Sequence, residues 1–244
     1  MSQKEFTFTS SDEKKTYVRQ MFSGIAARYD FLNHFLSFGQ DYRWRKNAIT
    51  LVRTHLEGKA EPAILDVACG TGDLSFEALR QIPDARITGI DLAKPMLDIF
   101  QKKANEKHKH IIIEEGDVEA LKYPDHMFDA VTIGFATRNF SRLDAAFSEI
   151  FRVLRPGGIF VNLELSRPRR FPMKQLYRFY GRFILPVIGK SISKNTEAYS
   201  YLPDSIEQFP EREEIVALLA KIGFANARWR DLSTGIVTMH IGEK

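Results

Sequence analysis

The sequence predicts an α/β fold in which a mostly parallel, seven-stranded sheet carries helices on both faces. Short apolar runs alternate with amphipathic helical stretches through the middle of the chain, a rhythm typical of a parallel sheet with crossover helices. Two further strand-like stretches flank the residues STG near the C-terminus and predict an antiparallel hairpin. With 244 residues, of which 44% are hydrophobic, the chain can bury one sizeable core, so we expect a single domain over residues 1–244.

The N-terminal region predicts helices that precede the sheet. Residues 1–16 are mostly charged and polar, so we expect them to be disordered and we expect no signal peptide. Residues 17–58 follow a helical pattern with many aromatic side chains, which Gly24 and Gly39 are expected to divide. This part is expected to form a lid over the substrate side of the sheet.

The middle of the chain supplies five strands and the helices between them. Pro95 is expected in the first turn of one helix, and Ser141 is expected to cap the start of another. The strands are expected at residues 63–67, 86–91, 111–117, 128–136 and 159–165. Helices are expected at residues 73–80, 94–107 and 141–154, with a turn at residues 155–158.

Residues 167–209 interrupt this alternation and are expected to form a helical insertion over the substrate side. Within it, residues 167–190 contain seven basic residues and no acid. From Lys174 the pattern is an amphipathic helix with a basic stripe, which suits the surface of an anionic membrane. Its apolar face could instead pack on the domain or on a second copy of the chain, as a homodimer. A last helix is expected at residues 211–223, closed by Gly223.

The stretch ILDVACGTGD at residues 64–73 is the main candidate for a ligand-binding loop. It follows the first strand, and ligands of open parallel sheets bind at the carboxyl ends of strands. Gly70 and Gly72 allow the backbone to approach a ligand closely. The loop has no Gly-Lys-Ser/Thr of a P-loop, and it matches G-x-G-x-x-G/A poorly because its final position is Ser75.

Acidic residues at the ends of successive strands indicate what this loop can hold. Asp66 and Asp73 flank the loop, and no Lys or Arg lies between residues 64 and 79, so a cation is favoured over a pyrophosphate. Asp91 ends the second strand and Asp117 the third, where they could accept hydrogen bonds from ribose hydroxyls and an adenine amino group. S-adenosylmethionine combines adenosine with positive charge, so we expect it as the cofactor and expect no metal. Each acid could instead be an ordinary strand-end or helix-cap residue.

Several motifs resemble those of known methyltransferases. Three stretches resemble motifs of class I S-adenosylmethionine-dependent methyltransferases: D-x-A-x-G-x-G at residues 66–72, FDAVTI at residues 128–133 and LRPGGIFV at residues 154–161. This resemblance implies the Rossmann-like fold of those enzymes. Three narrower stretches resemble the UbiE/MenG family of ubiquinone/menaquinone biosynthesis C-methyltransferases, at residues 22–46, 134–140 and 199–210. This resemblance implies methyl transfer to a ring carbon of a polyprenylated quinol. Demethylmenaquinol is the first candidate, and the 2-methoxy-6-polyprenyl-1,4-benzoquinol precursor of ubiquinone is the second.

The resemblance also implies site residues. The cofactor-binding residues expected from it and from the loop are Asp66, Gly70, Thr71, Gly72, Asp91, Asp117 and Val118. Some relatives carry a Ser in the fourth strand where Gly134 stands here, so that side-chain contact is absent. The quinol pocket is expected to include Tyr29, Asn33 and Tyr201, with aromatic packing as the alternative for the tyrosines.

Arg138 and Asn139, just past the fourth strand, are the expected catalytic residues. A ring carbon becomes a good nucleophile when the quinol ionises at an adjacent hydroxyl, so Arg138 is expected to stabilise the developing phenolate while Asn139 orients the ring. Arg138 could instead form a structural ion pair, and it stays protonated in proteins, which disfavours it as a general base. His34 is a candidate base, although a lone histidine in an aromatic helix is more often a packing residue.

Two other functions compete with this hypothesis. An RNA or DNA methyltransferase would use the basic segment to contact the nucleic acid. The chain lacks the Asn/Asp-Pro-Pro-aromatic motif that is used to methylate exocyclic amines. A C5-pyrimidine methyltransferase would need a nucleophilic cysteine, and the one cysteine of this chain, Cys69, lies in the cofactor loop. A net charge of +4 alone predicts no nucleic-acid partner. A noncatalytic cofactor-binding scaffold of a quinone-synthesis complex is disfavoured by the intact acids and by Arg138-Asn139. The expected location is cytoplasmic, with peripheral contact to the inner face of the membrane.

Overall fold

The sheet has seven strands, of which six run in one direction and one runs in the opposite direction. The computed structural model describes residues 6, 8–107, 109–179, 181 and 196–244. The strands are β1 (Ala63–Val67), β2 (Arg86–Asp91), β3 (Ile112–Glu115), β4 (Phe128–Gly134), β5 (Leu154–Leu165), β6 (Ala225–Leu232) and β7 (Val237–Glu243). They form the order β3-β2-β1-β4-β5-β7-β6, in which β7 runs antiparallel to both β5 and β6. The predicted fold class and the C-terminal hairpin are confirmed.

Helices surround this sheet in the order that the alternation predicts. They are α1 (Ser11–Ile25), α2 (Tyr29–Leu36), α3 (Gln40–His55), α4 (Asp73–Gln81), α5 (Lys94–Glu106), α6 (Leu143–Val153), α7 (Met173–Phe179), α8 (Thr196–Gln208) and α9 (Arg212–Ile222). Gly223 follows α9 with a positive φ of 121° and donates to the carbonyls of Leu219 and Ala220, which ends that helix as predicted. None of the described helices combines the length and apolar content needed to cross a membrane.

The N-terminus differs from its prediction, because α1 begins within the stretch that was expected to be disordered. The Ser10 hydroxyl accepts a hydrogen bond from the backbone N–H of Glu13, and the Glu13 carboxylate accepts one from the N–H of Thr9. These reciprocal caps satisfy two N–H groups that the start of a helix leaves without a partner. Residues 1–5 and 7 lie outside the described residues.

Three local predictions of element boundaries are wrong. Gly24 lies inside α1, and the break falls at a 3-10 turn, Ala26–Arg28, whereas Gly39 does separate α2 from α3 with φ +71°. Ser141 does not cap α6; its hydroxyl donates to the carbonyl of Ser11. Residues 155–158 belong to β5 through an irregularity in its pairing with β4, instead of forming a separate turn.

The hydrophobic core has two layers, one on each face of the sheet. Adjacent residues of β5 point to opposite faces, so that Val161 joins the layer of α3 and α4 with Ile49, and Phe160 joins the layer of α6 and α9 with Phe147 and Leu219. These five side chains are nearly or fully buried. The layers hold the sheet from both sides and leave its carboxyl end for other contacts.

The insertion at residues 167–209 is helical where it is described. Helix α7 begins at Met173, next to the predicted start at Lys174, and α8 follows later in the insertion. Residue 180 and residues 182–195, which include most of the predicted apolar face, lie outside the described residues.

Phe147 provides a test of the core. Its ring packs against Phe160 with centroids 5.6 Å apart and no exposed surface. We expect Phe147→Ala to lower the free energy of unfolding by about 3–5 kcal/mol, because the transfer energy and a residual cavity both count. Urea unfolding measures the change. Phe171→Ala, at a side chain 81% exposed, is the control and should stay within about 0.5 kcal/mol of wild type. Equal losses in both variants would contradict the proposed packing.

Candidate active site

A cleft lies at the carboxyl ends of the parallel strands, between the sheet and the N-terminal helices. It is the place where ligands of open parallel sheets bind. The predicted site residues that line it are Tyr29, Gly70, Asp91, Asp117, Val118 and Asn139. The cleft is therefore built jointly by the strand ends and by helices that come earlier in the chain.

The glycine loop between β1 and α4 depends on backbone conformations that favour glycine. Gly70 has φ +55° and Gly72 has φ +87°. A Cβ built on Gly72 would lie 2.1 Å from the buried ring of Phe100, so this position accepts no side chain without a shift of the core. The close packing explains Gly72 as a structural requirement, and Gly72 is not among the residues that line the cleft.

Asp91, the last residue of β2, fixes the glycine loop to the second strand. Its Oδ2 accepts a hydrogen bond from the Gly70 N–H at 2.9 Å, and its Oδ1 accepts one from the Ala93 N–H at 2.8 Å. Burial raises the pKa of Asp91, and these two donors oppose the rise. Each carboxylate oxygen keeps acceptor capacity toward the cleft, which suits a pair of ligand hydroxyls.

Asp66 lies behind the loop instead of at the cleft wall. It is 1% exposed, its Oδ2 accepts from the Ser75 hydroxyl at 2.5 Å, and its Oδ1 accepts from Thr132. Burial raises its pKa to about 7, against the effect of these hydrogen bonds. The structure thus gives Asp66 a role in holding the loop, and does not bring its side chain to the cofactor position that the sequence predicts.

The Thr71 side chain is bound by Asp30 of α2, one of the N-terminal helices. Its hydroxyl donates to Asp30 of α2, and Lys103 of α5 bridges Asp30 at 2.6 Å and Asp73 at 3.0 Å. Thr71 is 2% exposed, so its side chain is engaged by the lid instead of facing the cleft. This network couples the position of α2 to the conformation of the loop.

Asp117 faces the cleft but already has a cationic partner. Lys15 of α1 places its Nζ 2.6 Å from Asp117 Oδ2 and 2.8 Å from Glu119 Oε2. Partial burial lowers the pKa of Lys15, but its hydrogen bonds to both acids outweigh this and raise it. The Asp117 oxygens can accept a further hydrogen bond, so an adenine amino group remains compatible with this pair.

Arg138 forms the structural ion pair that the sequence left open as an alternative. It lies in the 3-10 turn Thr137–Asn139, and its Nη1 donates to Oε1 of the fully buried Glu164 at 2.7 Å. The Arg138 backbone N–H donates to the other Glu164 oxygen at 3.0 Å. Burial lowers the pKa of Arg138, but the charge of Glu164 outweighs this effect and raises it. The guanidinium is therefore charged, oriented and only 8% exposed.

The residues predicted for the quinol pocket gather around this ion pair. Tyr29 packs over the loop, 3.8 Å from a Cβ built on Gly70, and Asn33 hydrogen-bonds to the Tyr29 side chain. Tyr201 of α8 is buried near Arg138, and burial raises its pKa to about 12 although the Arg138 charge opposes this. Of these three, only Tyr29 lines the cleft itself.

His34 is held by carboxylates and does not line the cleft. Its Nδ1 lies 2.6 Å from Asp41 Oδ2, its Nε2 lies 3.8 Å from Asp73 Oδ2, and the ring of Tyr42 stacks on it at 4.4 Å. Arg45 contacts both carboxylates and balances their charge. This arrangement favours the packing role over the catalytic one.

Two charged residues of the site, Lys15 and Glu164, carry no motif signal of their own. Glu164 lies one residue before the end of β5, so the strand-end position that identifies Asp91 and Asp117 could have found it as well. Lys15 lies in a stretch whose composition resembles a disordered tail, and only the folded chain brings it to Asp117.

Comparisons with known proteins identify one family over most of the chain. The model of the ubiE/COQ5 methyltransferase family matches residues 9–244. The demethylmenaquinone methyltransferase of Porphyromonas gingivalis is 42% identical over 234 residues, which cover 95% of this chain and 94% of that protein. The ubiquinone/menaquinone biosynthesis C-methyltransferase UbiE of Geobacter sulfurreducens is 43% identical over 244 residues, with 99% and 93% covered. A demethylmenaquinone methyltransferase of Thermus thermophilus is 45% identical, with 92% and 100% covered.

Solved structures share the fold at low identity. A methyltransferase from Thermotoga maritima, described as S-adenosylmethionine-dependent, has a TM-score of 0.61 at 16% identity and covers 92% of this chain and 98% of its own. The cyclase SpnF has a TM-score of 0.66 at 18% identity, with 96% of each chain covered. Since one of these proteins is described as a cyclase, the fold by itself does not decide the reaction.

Asp66 predicts a pH dependence of stability. Because its pKa rises from 3.8 to about 7 on folding, the folded state keeps a proton that the unfolded state loses in that interval. The contribution of Asp66 to stability therefore falls as pH rises, by up to about 1.4 kcal/mol per pH unit. We expect Asp66→Asn to remove this fall, as measured by urea unfolding at pH 5 and pH 8. Asp98→Asn, on the exposed side of α5, is the control, and an unchanged pH dependence in Asp66→Asn would contradict the raised pKa.

Proposed function

The chain belongs to the ubiE/COQ5 methyltransferase family, and on that premise we propose that it methylates a ring carbon of a polyprenylated quinol, with demethylmenaquinol as its substrate. It is an enzyme that takes its methyl group from S-adenosylmethionine. The ubiquinone precursor is the second candidate substrate, because the name of the Geobacter relative covers both quinone pathways.

One observation carries the proposed site of reaction. Arg138 Nε, Asn139 Oδ1 and the Tyr201 hydroxyl are buried and have no hydrogen-bond partner among the described residues. Unpaired polar atoms of this kind are costly, so they usually have a ligand or a water. A quinol ring has hydroxyl oxygens that can both donate and accept, which fits a donor, an acceptor and a hydroxyl beside the cofactor cleft.

The chemistry of the cleft walls fits the cofactor. Asp91 would accept hydrogen bonds from the ribose hydroxyls, Val118 and Asp117 would border the adenine, and the Gly70 backbone would border the methionine end. When bound, S-adenosylmethionine supplies an electrophilic methyl group. The remaining work falls to the chain, which must orient the acceptor carbon and exclude water; orientation alone can supply about 7–11 kcal/mol of a barrier.

Arg138 is the proposed stabiliser of the quinol anion. A positive charge beside a ring hydroxyl favours its phenolate form, which makes the adjacent ring carbon nucleophilic. Glu164 accepts hydrogen bonds from both the side chain and the backbone of Arg138, so it fixes the direction of the guanidinium while leaving Nε for the substrate. Asn139 orients the ring, and Tyr29 and Tyr201 enclose it with Asn33 behind Tyr29.

Some of the basic residues that a nucleic-acid methyltransferase would use to contact phosphates form ion pairs within the folded chain. Arg169 pairs with Glu211 at 2.8 Å and with Glu213 at 2.6 Å, and Arg167 pairs with Glu211 at 2.8 Å. Basic residues that are already paired attract phosphates less strongly. These contacts support the quinol over RNA or DNA as the acceptor.

We also propose that residues 167–190 contact the membrane peripherally. In the described part of this segment, Phe171, Leu176 and Phe179 are exposed, as an interfacial helix requires. A second copy of the chain is the competing occupant of this face. Co-sedimentation with anionic liposomes at low salt tests the membrane contact, and light scattering measures whether a homodimer forms.

The function itself is tested with the methyl donor carrying a labelled methyl group. We expect label to move to reduced demethylmenaquinol in detergent micelles, and to bulk RNA no faster than in an enzyme-free control. Transfer to the ubiquinone precursor, assayed in parallel, ranks the two quinols. Label transfer to RNA and not to either quinol would overturn the proposal, and so would tight binding of NAD without binding of S-adenosylmethionine.

Arg138 gives the sharpest mutational test of the mechanism. We expect Arg138→Ala to lower kcat by on the order of 10²–10³, because a preorganised charge at the developing anion is lost. Binding of S-adenosylmethionine, measured by calorimetry, should persist. Arg138→Lys keeps a charge beside Glu164 but loses the guanidinium fork, so it should recover only part of the rate.

Arg155→Ala is the matched control for this series. Arg155 also pairs with a carboxylate, Asp129, but at the amino end of β4, away from the cleft. Its substitution should leave kcat unchanged. Near-normal turnover in Arg138→Ala, with the chain folded, would remove Arg138 from the mechanism.

A further inference from the structure

Four aromatic side chains form an exposed surface on the N-terminal helices. We call the group of Phe31, Phe35, Phe38 and Tyr42 the aromatic patch. Phe31 is 59% exposed and Phe38 is 81% exposed, and the rings of Phe31 and Phe35 stack with centroids 5.8 Å apart. Single exposed apolar residues are common, but four large exposed rings within twelve residues, two of them stacked, indicate an interaction site.

Two rings of the aromatic patch, Phe31 and Phe35, lie on α2, which also forms a wall of the cleft through Tyr29. Within α2, the four-residue spacing of Phe31 and Phe35 puts both rings on one face. The buried Leu32 and the cleft-lining Tyr29 point elsewhere, toward the body of the protein. One short helix therefore has the candidate quinol pocket on one side and exposed aromatic rings on the other.

The charges around the aromatic patch are positive. The two acids of this stretch are paired, Asp30 with Lys103 at 2.6 Å and Asp41 with the buried Arg45. The exposed charged side chains between residues 28 and 46 are Arg28, Arg43 and Lys46. Aromatic rings bordered by basic side chains complement the surface of a bilayer that contains anionic lipids.

A second exposed apolar group follows β5. Phe171, Leu176 and Phe179 follow β5, and a Cβ built on Gly235 would lie 3.6 Å from Cα of Pro168 at the start of their segment. Trp44 of α3 donates to the hydroxyl of Ser233 in the same Ser233–Gly235 turn. Both apolar groups therefore belong to segments anchored at this turn.

We propose that the aromatic patch inserts into the surface of an anionic lipid bilayer and thereby holds α2, which forms a wall of the cleft, at the membrane. The reason for such a contact rests on the proposed function, since a polyprenylated substrate resides in lipid. The binding of the chain to lipid is measured independently of that function. A second copy of the chain suits the patch less well. Two-fold contact of the patch with itself would bring like charges, Arg43 and Lys46, together.

The test uses the full chain and vesicles of phosphatidylcholine with phosphatidylglycerol. We expect Phe31→Ser/Phe38→Ser to weaken co-sedimentation by on the order of tenfold or more, because interfacial binding scales with buried apolar area. The control is Ile112→Ser/Trp229→Ser, which removes two exposed apolar side chains from β3 and β6. Phe38→Ser alone, at the most exposed ring, guards against loss of folding in the double variant, and should also weaken binding.

An activity split separates this inference from the proposed function. Methyl transfer to a short-tailed quinol in solution should be unchanged in Phe31→Ser/Phe38→Ser, while transfer to a long-tailed quinol in vesicles falls. If no quinol is methylated but vesicle binding still depends on the patch, the proposed function fails and the membrane contact stands.

Three results would overturn the membrane contact. One is that the wild-type chain does not bind the anionic vesicles. Another is that Phe31→Ser/Phe38→Ser binds the vesicles as well as the wild-type chain does. This outcome includes the case in which Phe171→Ser/Leu176→Ser loses binding and Phe31→Ser/Phe38→Ser does not. The third is that the patch variant converts a dimer to a monomer while vesicle binding is unchanged, which would make the patch an interface between copies of the chain.

Discussion

The hydrogen bonds of Asp91 are the constraint on which the cleft depends. The Asp91 carboxylate, at the end of β2, accepts a hydrogen bond from the Gly70 N–H in the loop after β1. It accepts another from the N–H of Ala93, two residues further along the chain. The glycine loop can therefore take only one path across the sheet end. Burial makes the ionised carboxylate unfavourable, and the two donors offset that cost. The same oxygens border the cleft, so one side chain both shapes the loop and offers acceptors to a cofactor.

The N-terminal helices are part of the site and not a cover added to it. Lys15 reaches Asp117 and Glu119, Asp30 takes the hydroxyl of Thr71, and Tyr29 packs over the loop. Each contact joins the lid to a strand end that a free Rossmann-like sheet would leave open to water.

In the proposed mechanism, the pair of Arg138 and Glu164 combines a structural role with a catalytic one. Removing either partner would leave the other as an uncompensated buried charge, so the pair also stabilises the folded state. Glu164 accepts hydrogen bonds from Nη1 and from the backbone N–H of Arg138, which fixes the direction of the guanidinium. Its Nε has no hydrogen-bond partner among the described residues. An oriented charge with one free donor is what stabilisation of a quinol anion requires.

The sequence by itself determined the sheet, including the bounds of β1 and β2, and the acids at its strand ends, because apolar periodicity and strand termination are local properties of the chain. It misjudged α1, whose capping residues were read as part of a polar tail. Only the tertiary structure decided the partners of charged side chains. Lys15 and Asp117 are 102 residues apart, and Arg138 and Glu164 are 26 apart. Neither spacing has a period that a pattern could detect, so which acids face the cleft and which are already paired depends on how the N-terminal helices pack on the sheet.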